Sequence, residues 1–360
     1  MTVSNGNTGL TRTPLQYSGS LSHLDYVEIT PIIGREYPTA KIRDILHASN
    51  SEQQIRDLAI IICERGVVFF RAPQDDLTID EQKRFTVLLG ELTGRPEGHG
   101  LHIHPLFRDE NNIPMENGQH DESIYVINAK AAQKLYKSMK QVQRTEPKDL
   151  GLEWHSDCMF EECPADFSFL RMEETPPTGG DTVWCSGYEL YDRISPSMRT
   201  YFESLTATCA QPVFKTAATA GGYEVMSPRG SPLNVGDSFS PIHPMVRTHP
   251  VTGWKSIYAA IGIHVTKIND VYSYEDQMIR DYIMRLITRN HDCVARWKWT
   301  KQSCAIWSNA CTLHAATPDT HLVMDSTANR TGVRASGTGE KPYLDPASKS
   351  RREALGLPLN

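Results

Sequence analysis

The pattern of apolar positions predicts two helices and a buried strand near the start of the chain. Between residues 51 and 65, apolar side chains recur at helical spacing, and Gly66 follows where such a helix would end. The run GVVFFRA, which begins with this glycine, is typical of a buried strand. Thr78 and Glu81 have the spacing of a capping box, which predicts a second helix with an apolar face.

Short β patterns dominate the remainder of the chain. They occur in SIYVINA, after the turn in PPTGGDTVW, in two parts of HPMVRTHPVTGWKSIYAAI, in CVARWKW and in SCAIWSN. A long amphipathic helix is predicted late in the sequence, from Tyr274 to Asn290. Many short strands with helices gathered at the N-terminal end favour a mainly β fold with flanking helices, whose core is a β-sandwich or jelly roll.

The chain is expected to form one large domain between two less regular ends. Residues 1–25 are polar and rich in Gly, Ser and Thr, which predicts a flexible N-terminal arm. Residues 26–335 contain the predicted helices and strands and are interpreted as a single domain. Residues 336–360 show no regular pattern and are expected to be an irregular tail.

Composition indicates an ordinary globular enzyme. Of the 360 residues, 39% are hydrophobic and 22% are charged, and the net charge of −6 comes from acidic and basic residues that are mixed along the chain. The sequence shows no basic region for nucleic acid, no signal peptide and no apolar run that could span a membrane. The eight cysteines form no Cys-x-x-Cys pair. We therefore expect reduced thiols, no structural zinc site and a cytoplasmic location.

The segment GLEWHSDCMF carries the first candidate for chemistry. His155 and Asp157 are two residues apart, a spacing that places both side chains on one face of a strand. They are either a hydrogen-bonded surface pair or two ligands of a metal site that needs a third. Two histidines and one carboxylate form the facial triad of non-haem Fe(II) oxygenases, which leaves coordination positions open for a co-substrate and O₂.

The second histidine must come from elsewhere in the chain. His314 is the strongest candidate because it follows a tryptophan-containing strand pattern and precedes two arginines, Arg330 and Arg334. The histidines considered for this role are His243, His249, His264, His291, His314 and His321.

Several sequence blocks place these residues in a family context. LHIHPLF, WHSD, GGDTVW, HPMVRTHPVTG, RWKW, AIWSN with His314, and RTGVR follow one another over residues 100–335. In this order they resemble the taurine dioxygenase-like (TauD/TfdA) family of Fe(II)/2-oxoglutarate-dependent dioxygenases, in its fungal-type biosynthetic branch. The resemblance implies a double-stranded β-helix, which is a relative of the jelly roll and agrees with the strand patterns.

The resemblance also implies roles for five residues. His155, Asp157 and His314 would bind Fe(II). Arg330 would bind the distal carboxylate of 2-oxoglutarate, a bidentate task that suits a guanidinium group, and Thr182 would form a hydrogen bond with the same co-substrate. Taken singly, His314 has an alternative interpretation as a core histidine, Arg330 as a member of a surface ion pair and Thr182 as an ordinary strand residue.

A second set of residues would line the substrate pocket by the same resemblance. Arg334 stands four residues after the co-substrate arginine, where the family member that acts on taurine binds the sulfonate. His104 matches a pocket histidine, whereas Phe107 stands where a tyrosine is expected. Phe160 and Ile263 take the positions of pocket phenylalanines. An arginine with fewer polar neighbours predicts a small anionic substrate with an apolar body.

The predicted reaction is the oxidation of a C–H bond with Fe(II), 2-oxoglutarate and O₂. An aliphatic α-amino acid such as L-valine is the favoured substrate, and hydroxylation, desaturation and oxidative cyclisation all stay open. One alternative is a taurine or alkylsulfonate dioxygenase that releases sulfite. Another is a non-enzymatic metal-binding module of the cupin type. A zinc hydrolase is disfavoured because no general-base glutamate stands beside the ligands. Neither nucleic acid nor a membrane is an expected partner, and homo-oligomer formation is left open.

Overall fold

The computed structural model describes residues 13–108, 114–115, 118–128, 153–317, 319 and 330–358. Its strands are, in chain order, β1 Val27–Glu28, β2 Arg35–Tyr37, β3 Val67–Phe70, β4 Tyr125–Ile127, β5 Ala165–Glu174, β6 Thr182–Ser186, β7 Thr206–Cys209, β8 Ile242–Pro244, β9 Val246–Thr248, β10 Lys255–Ile257, β11 Val265–Ile268, β12 Val294–Trp297, β13 Cys304–Ser308, β14 Thr312–Ala316 and β15 Thr331–Thr338. Its helices are α1 Ile42–His47, α2 Ser51–Arg65, α3 Ile79–Glu91, α4 Gly187–Asp192, α5 Pro196–Glu203, α6 Val213–Gly221, α7 Ser273–Arg289 and α8 Arg351–Leu355, with a short 3₁₀ helix at His291–Cys293.

A seven-stranded sheet and a three-stranded sheet form the centre of the molecule. The larger sheet has the strand order β1-β2-β3-β13-β5-β15-β4, and the smaller sheet has the order β12-β6-β14. Neighbouring strands in both sheets run antiparallel, except for the parallel pair β2 and β3. Two smaller sheets, with the orders β11-β7-β8 and β10-β9, extend the fold.

Strand β3 shows why the apolar run in GVVFFRA does not alternate with polar residues. Val67 and Phe69 face the smaller sheet, where Phe69 stacks on Trp297 of β12 with ring centroids 4.1 Å apart. Val68 and Phe70 pack on the opposite face, in the apolar cluster that includes α2 and α3. Both faces are therefore buried, one under helices and one under a second sheet. The mainly β architecture with flanking helices is confirmed.

The helix boundaries follow the predicted signals. Helix α2 spans the predicted residues 51–65 and ends at Gly66, whose φ of +77° suits a residue without a side chain. At the start of α3, Glu81 N donates a hydrogen bond to Thr78 Oγ1 at 3.2 Å, and Thr78 N donates to the Glu81 carboxylate at 2.9 Å. This is the predicted capping box. The late amphipathic helix forms as α7.

Strand β5, which the sequence patterns did not predict, lies at the centre of the larger sheet. It pairs with β13 on one side and with β15 on the other. Its residues from Phe167 to Glu173 are all buried, and they include Ser168, Arg171 and Glu173. Because the polar residues do not alternate with apolar ones, neither a period of two nor a purely apolar run marks this strand.

The prediction of a flexible N-terminal arm is wrong for residues that precede position 25. Leu21 is buried in the core beside α2. The Asp57 carboxylate of α2 accepts hydrogen bonds from the backbone N–H and the hydroxyl of both Ser18 and Ser20, at 2.8–3.0 Å. Two serines in a polar segment thus anchor it to a helix. Residues 1–12 lie outside the described residues.

Two parts of the predicted irregular C-terminal tail have regular structure. Strand β15 continues to Thr338, and Ser350 begins α8 with a capping box. Between them, Lys349 O accepts a hydrogen bond from Lys255 N at 2.9 Å, which ties the segment to β10. Backbone pairing with an existing strand needs no side-chain pattern, so no periodicity of apolar residues marks this segment.

No helix in the described ranges is both long enough and apolar enough to cross a membrane. All eight cysteines lie within those ranges, and each is a buried free thiol.

We expect Asp57→Ala to lower the free energy of unfolding by about 3 kcal/mol at pH 7, because several charge-assisted hydrogen bonds are lost. Burial works to raise the pKa of Asp57, but the hydrogen bonds from Ser18 and Ser20 lower it overall. The stabilisation is therefore present above the ordinary carboxyl pKa and is lost as the pH falls. Urea denaturation at pH 7 and at acidic pH measures both effects. The exposed Asp44 supplies the control, and an equal loss in Asp44→Ala would contradict the anchor.

Candidate active site

Main-chain pairing brings the two predicted histidine ligands together. His155 N donates a hydrogen bond to His314 O at 2.9 Å, and His314 N donates to His155 O at 2.8 Å. This antiparallel bridge places the imidazole centroids 4.2 Å apart. His314 lies within β14, whereas His155 lies in an isolated bridge and Asp157 in the turn that follows. The sequence predicted that His155 and Asp157 would lie on one strand. The structure places His155 in an isolated bridge and Asp157 in a turn instead.

Asp157 completes a cluster of three donor groups. Its Oδ1 lies 3.9 Å from His155 Nε2 and 3.8 Å from His314 Nε2. One donor atom from each residue lies within 4.8 Å of the other two, and Asp157 and His314 are buried. His155 Nδ1 lies 2.7 Å from Glu153 O, so that Nδ1–H donates and Nε2 keeps a free lone pair. The set fits an Fe(II) ion, which accepts imidazole and carboxylate ligands together.

A buried network orients the Asp157 carboxylate. Ser168 Oγ donates to Asp157 Oδ2 at 2.7 Å and accepts from Asn309 Nδ2 at 2.9 Å. Asn309 Oδ1 accepts from Asp157 N at 3.1 Å and from Trp307 Nε1 at 3.1 Å. Sequence reasoning missed Ser168 and Asn309 as site residues. Trp307 and Asn309 both belong to the AIWSN block, and this block could have identified Asn309 as a site residue. Ser168 lies in β5, a strand that the sequence did not predict.

Arg334 forms an ion pair with this carboxylate. Its Nη1 donates to Asp157 Oδ1 at 2.6 Å. Burial works to raise the pKa of Asp157, but the charge of Arg334, followed by His314 and His155, holds it well below the usual carboxyl range. Arg334 is also the cross-strand partner of Tyr125, and its guanidinium lies 5.3 Å from that ring. Within the described residues, Arg334 Nε is buried without a hydrogen-bond partner.

Arg330 lies in the same cavity with different partners. Its Nε donates to Gly180 O at 2.8 Å, and its Nη2 donates to Thr182 Oγ1 at 3.2 Å. No carboxylate in the described part of the chain forms an ion pair with it. Burial lowers the pKa of Arg330 to about 10, although the charge of Asp181 opposes this shift. Thr182 Oγ1 accepts a second hydrogen bond from Trp299 Nε1 at 3.0 Å, so its own O–H is left to donate.

These groups line a cavity of about 300 Å³. The predicted pocket residues His104, Phe160 and Ile263 also line it, and Ile263 is 44% exposed. Phe107 is not among the lining residues, so its predicted role as a pocket residue is not supported. It belongs to the turn after His104, whose carbonyl accepts a hydrogen bond from Phe107 N at 2.9 Å.

The cavity is more polar than the sequence predicted. Strand β4 contributes Tyr125, whose ring is stacked on that of His104 with centroids 4.9 Å apart. Ser123, Tyr125 and Ile127 all line the cavity at a spacing of two residues, a periodicity that could have identified them in SIYVINA. The other polar lining residues that were not predicted are His102, Glu122, Gln211, His264 and Ser336.

Two partly buried histidines show opposite pKa shifts beside this cavity. Burial, followed by the charges of His102 and Arg334, lowers the pKa of His104 to about 3. Burial also works to lower the pKa of His102, but Cys158 and Glu161 outweigh it and raise that pKa to about 10. His102 Nε2 lies 3.1 Å from Glu161 Oε1. The lowered pKa favours the neutral, hydrogen-bonding form of His104, and the raised pKa favours the protonated form of His102.

Comparisons with known proteins agree with this geometry. The model of the "Taurine catabolism dioxygenase TauD, TfdA family" matches residues 25–335. The Alpha-ketoglutarate-dependent dioxygenase oryG of Aspergillus oryzae is 44% identical over 95% of this chain and 96% of its own length. A Schizosaccharomyces pombe relative, named as an alpha-ketoglutarate-dependent sulfonate dioxygenase, is 32% identical over 85% of this chain and 68% of its own length.

A solved structure shows the same fold. The crystal structure of an alpha-ketoglutarate-dependent taurine dioxygenase from Burkholderia xenovorans has a TM-score of 0.63 and covers 90% of this chain and 92% of that one, at 22% identity. The predicted double-stranded β-helix core is confirmed.

The chain belongs to the TauD/TfdA dioxygenase family. It is an oxidoreductase that depends on 2-oxoglutarate, also called alpha-ketoglutarate, and it uses Fe(II) and O₂. The predicted family, enzyme class and cofactors are confirmed, and the interpretation as a non-enzymatic module is set aside.

We expect Arg334→Leu to bind Mn(II) about tenfold to a hundredfold more tightly than the wild type. An ion at Asp157 must compete with the guanidinium group, and a hydrogen bond between charged groups contributes about 1.5–3 kcal/mol. Calorimetric titration of the metal-free protein measures the affinity. Arg330→Leu is the matched control, since Arg330 contacts Gly180 and Thr182 rather than the carboxylate. Equal affinities for the wild type and Arg334→Leu would show that Arg334 does not compete with the metal.

Proposed function

We propose that this enzyme oxidises a C–H bond of a small anionic substrate, with His155, Asp157 and His314 as the ligands of Fe(II). The observation that carries the proposal is the convergence of three metal-binding donors and two arginines, Arg330 and Arg334, on one cavity. One arginine suits the co-substrate and the other suits the substrate. Bound Fe(II) supplies the activation of O₂ that couples decarboxylation of 2-oxoglutarate to oxidation of the substrate.

The protein fixes the ligands before the metal binds. Backbone pairing sets the positions of His155 and His314, and the hydrogen bond from Ser168 fixes the orientation of the Asp157 carboxylate. Groups that orient ligands in this way raise metal affinity because little rearrangement is needed. The hydrogen bond from His155 Nδ1–H keeps Nε2 available as the donor atom.

Arg330 and Thr182 form the proposed 2-oxoglutarate site. Arg330 is a cation in the cavity that has no carboxylate partner among the described residues, and a dicarboxylate would supply one. The hydrogen bonds to Gly180 O and Thr182 Oγ1 hold the guanidinium in place. The Thr182 hydroxyl can donate to the same carboxylate, because its oxygen already accepts two hydrogen bonds.

Arg334 is the proposed contact for the substrate anion. Its guanidinium is held over Tyr125, and its Nε has no hydrogen-bond partner within the described chain. A carboxylate or a sulfonate would offer the oxygens that a guanidinium fork prefers. His104 is a neutral neighbour whose Nδ1 accepts from Leu106 N at 3.1 Å, which leaves Nε2–H as a donor.

We favour a small α-amino acid or a related carboxylate as the substrate. Phe160, Leu170 and Phe214 give the cavity apolar surface for a short side chain. The polar groups in the cavity widen the initial hypothesis of L-valine to small α-amino acids in general. An alkylsulfonate such as taurine is the second candidate, supported by the name of the Schizosaccharomyces pombe relative.

Succinate release across a panel of anions tests this proposal. With Fe(II), 2-oxoglutarate and O₂, we expect faster release with small L-amino acids, L-valine included, than with taurine. In Arg334→Leu, the stimulation by substrate should disappear while slow decay of 2-oxoglutarate continues, because the substrate anion loses its partner whereas Asp157, which also loses Arg334, still has the metal ion. Lys267→Ala, at an exposed position of β11 outside the cavity, is the control and should keep the stimulation.

Two results would contradict the proposed substrate class or the proposed role of Arg334. Release of sulfite from taurine without turnover of any amino acid would favour the sulfonate candidate. Stimulation that persists in Arg334→Leu would show that the anion binds elsewhere.

A further inference from the structure

Gln211 and His264 form a polar pair in the cavity that the roles above do not use. Both side chains line the cavity, and His264 is only 6% exposed. Gln211 Nε2 lies 3.5 Å from His264 Nδ1. When this amide N–H donates to Nδ1, the ring carries its proton on Nε2, and Gln211 keeps Oε1 as an acceptor. Within the described residues, neither His264 Nε2 nor Gln211 Oε1 has a hydrogen-bond partner.

The main chain holds this pair close to the metal-binding residues. Ala210 N donates to His264 O at 2.7 Å, which joins the ends of β7 and β11. Gly262 packs directly on the segment before His155, where a Cβ atom would lie 2.1 Å from Trp154 O. Its φ of +113° also suits glycine. The turn that carries His264 is therefore fixed against the backbone of the site.

The pair and Arg334 contact different members of the triad. Arg334 bonds to Asp157, whereas the His264 ring lies edge-on to His155, with centroids 6.0 Å apart and an interplanar angle of 87°. The Phe160 ring packs against His264, with centroids 5.1 Å apart. The cavity thus offers an anion contact beside one ligand and a neutral donor and acceptor beside another.

We infer that His264 and Gln211 bind a neutral hydrogen-bonding group of the substrate, a hydroxyl or a carboxamide, while Arg334 binds its anionic group. The inference rests on the proposed function and narrows the substrate to small anions that carry a second polar group. A methyl group in this place would leave the donor and the acceptor unpaired in a buried site, which disfavours binding. The pair thereby acts as a specificity determinant rather than as a ligand of the metal.

Binding of matched pairs of anions tests this inference without turnover. The pairs are L-threonine with L-valine, L-asparagine with L-leucine, and isethionate with 1-propanesulfonate. Members of each pair have similar shapes, and one member has a hydroxyl or a carboxamide where the other has a methyl or an isopropyl group. Calorimetry on the protein loaded with Mn(II) and N-oxalylglycine, an inert analogue of 2-oxoglutarate, gives their affinities. In at least one pair, we expect the polar member to bind about three- to tenfold more tightly.

Variants then show whether the pair causes the difference. His264→Leu and Gln211→Leu should each bring the affinity ratio close to one, whereas His264→Asn should restore part of it, since it keeps an N–H donor. Lys267→Ala changes an exposed residue of the adjoining strand β11 that does not line the cavity, and it should keep the wild-type ratio. Binding of N-oxalylglycine reports whether each variant retains a folded site.

Three outcomes would overturn the inference. These are a wild-type ratio of one or less in every pair, a ratio that survives in both leucine variants, and an equal loss for both members of a pair. The last would mean that the residues bind a group that both members share, such as the amino group. A failure of the proposed function is distinguishable, because it would appear as unstimulated succinate release whatever the binding ratios are.

Discussion

The two backbone hydrogen bonds between His155 and His314 are the constraint on which the rest of the site depends. They attach a segment that is not itself a strand to β14, the edge strand of the smaller sheet. β14 is paired along its length with β6, and β6 also carries Thr182. Main-chain pairing therefore places both imidazoles and the proposed co-substrate contact on one rigid frame. Gly262 adds the turn that carries His264 to the same frame, because it packs on the residue before His155.

The charges of Asp157, Arg334 and Arg330 determine which ligands this site favours. Asp157 is a buried carboxylate, and Arg334 balances it through a direct ion pair. Arg330, by contrast, is held by neutral oxygens, so the cavity has a cation that no described carboxylate neutralises. A dianionic co-substrate restores this balance, and a metal ion at Asp157 would release Arg334 for a second anion. The positive charge of these two arginines thus favours both the dianionic co-substrate that the family uses and an anionic substrate.

Local signals predicted much of this from the sequence. Helices α2 and α3 follow from apolar spacing, a terminal glycine and a capping box, which all act within a few residues. His155 and Asp157 stood out by their spacing and His314 by its position before two arginines, and the resemblance of the ordered blocks to a family implied their role as metal ligands. The rest depends on contacts between distant segments: Asp57 anchors Ser18 and Ser20, and β5 brings Ser168 to Asp157. Phe107 was predicted to line the pocket, but it is not among the residues that line the cavity, and polar groups from other segments line it instead.

We infer that the triad and Arg330 together bind Fe(II) and 2-oxoglutarate. Anaerobic addition of both to the metal-free protein, followed by visible absorption, is the decisive experiment, since a bound chelate gives a weak charge-transfer band. We expect a band in the wild type and none in Asp157→Ala. In Arg330→Ala, iron should still bind, but the band should need about a hundredfold more 2-oxoglutarate, because a buried charged hydrogen bond is lost. A wild-type protein that binds Fe(II) without the band, or an Arg330→Ala variant with an unchanged 2-oxoglutarate requirement, would contradict it.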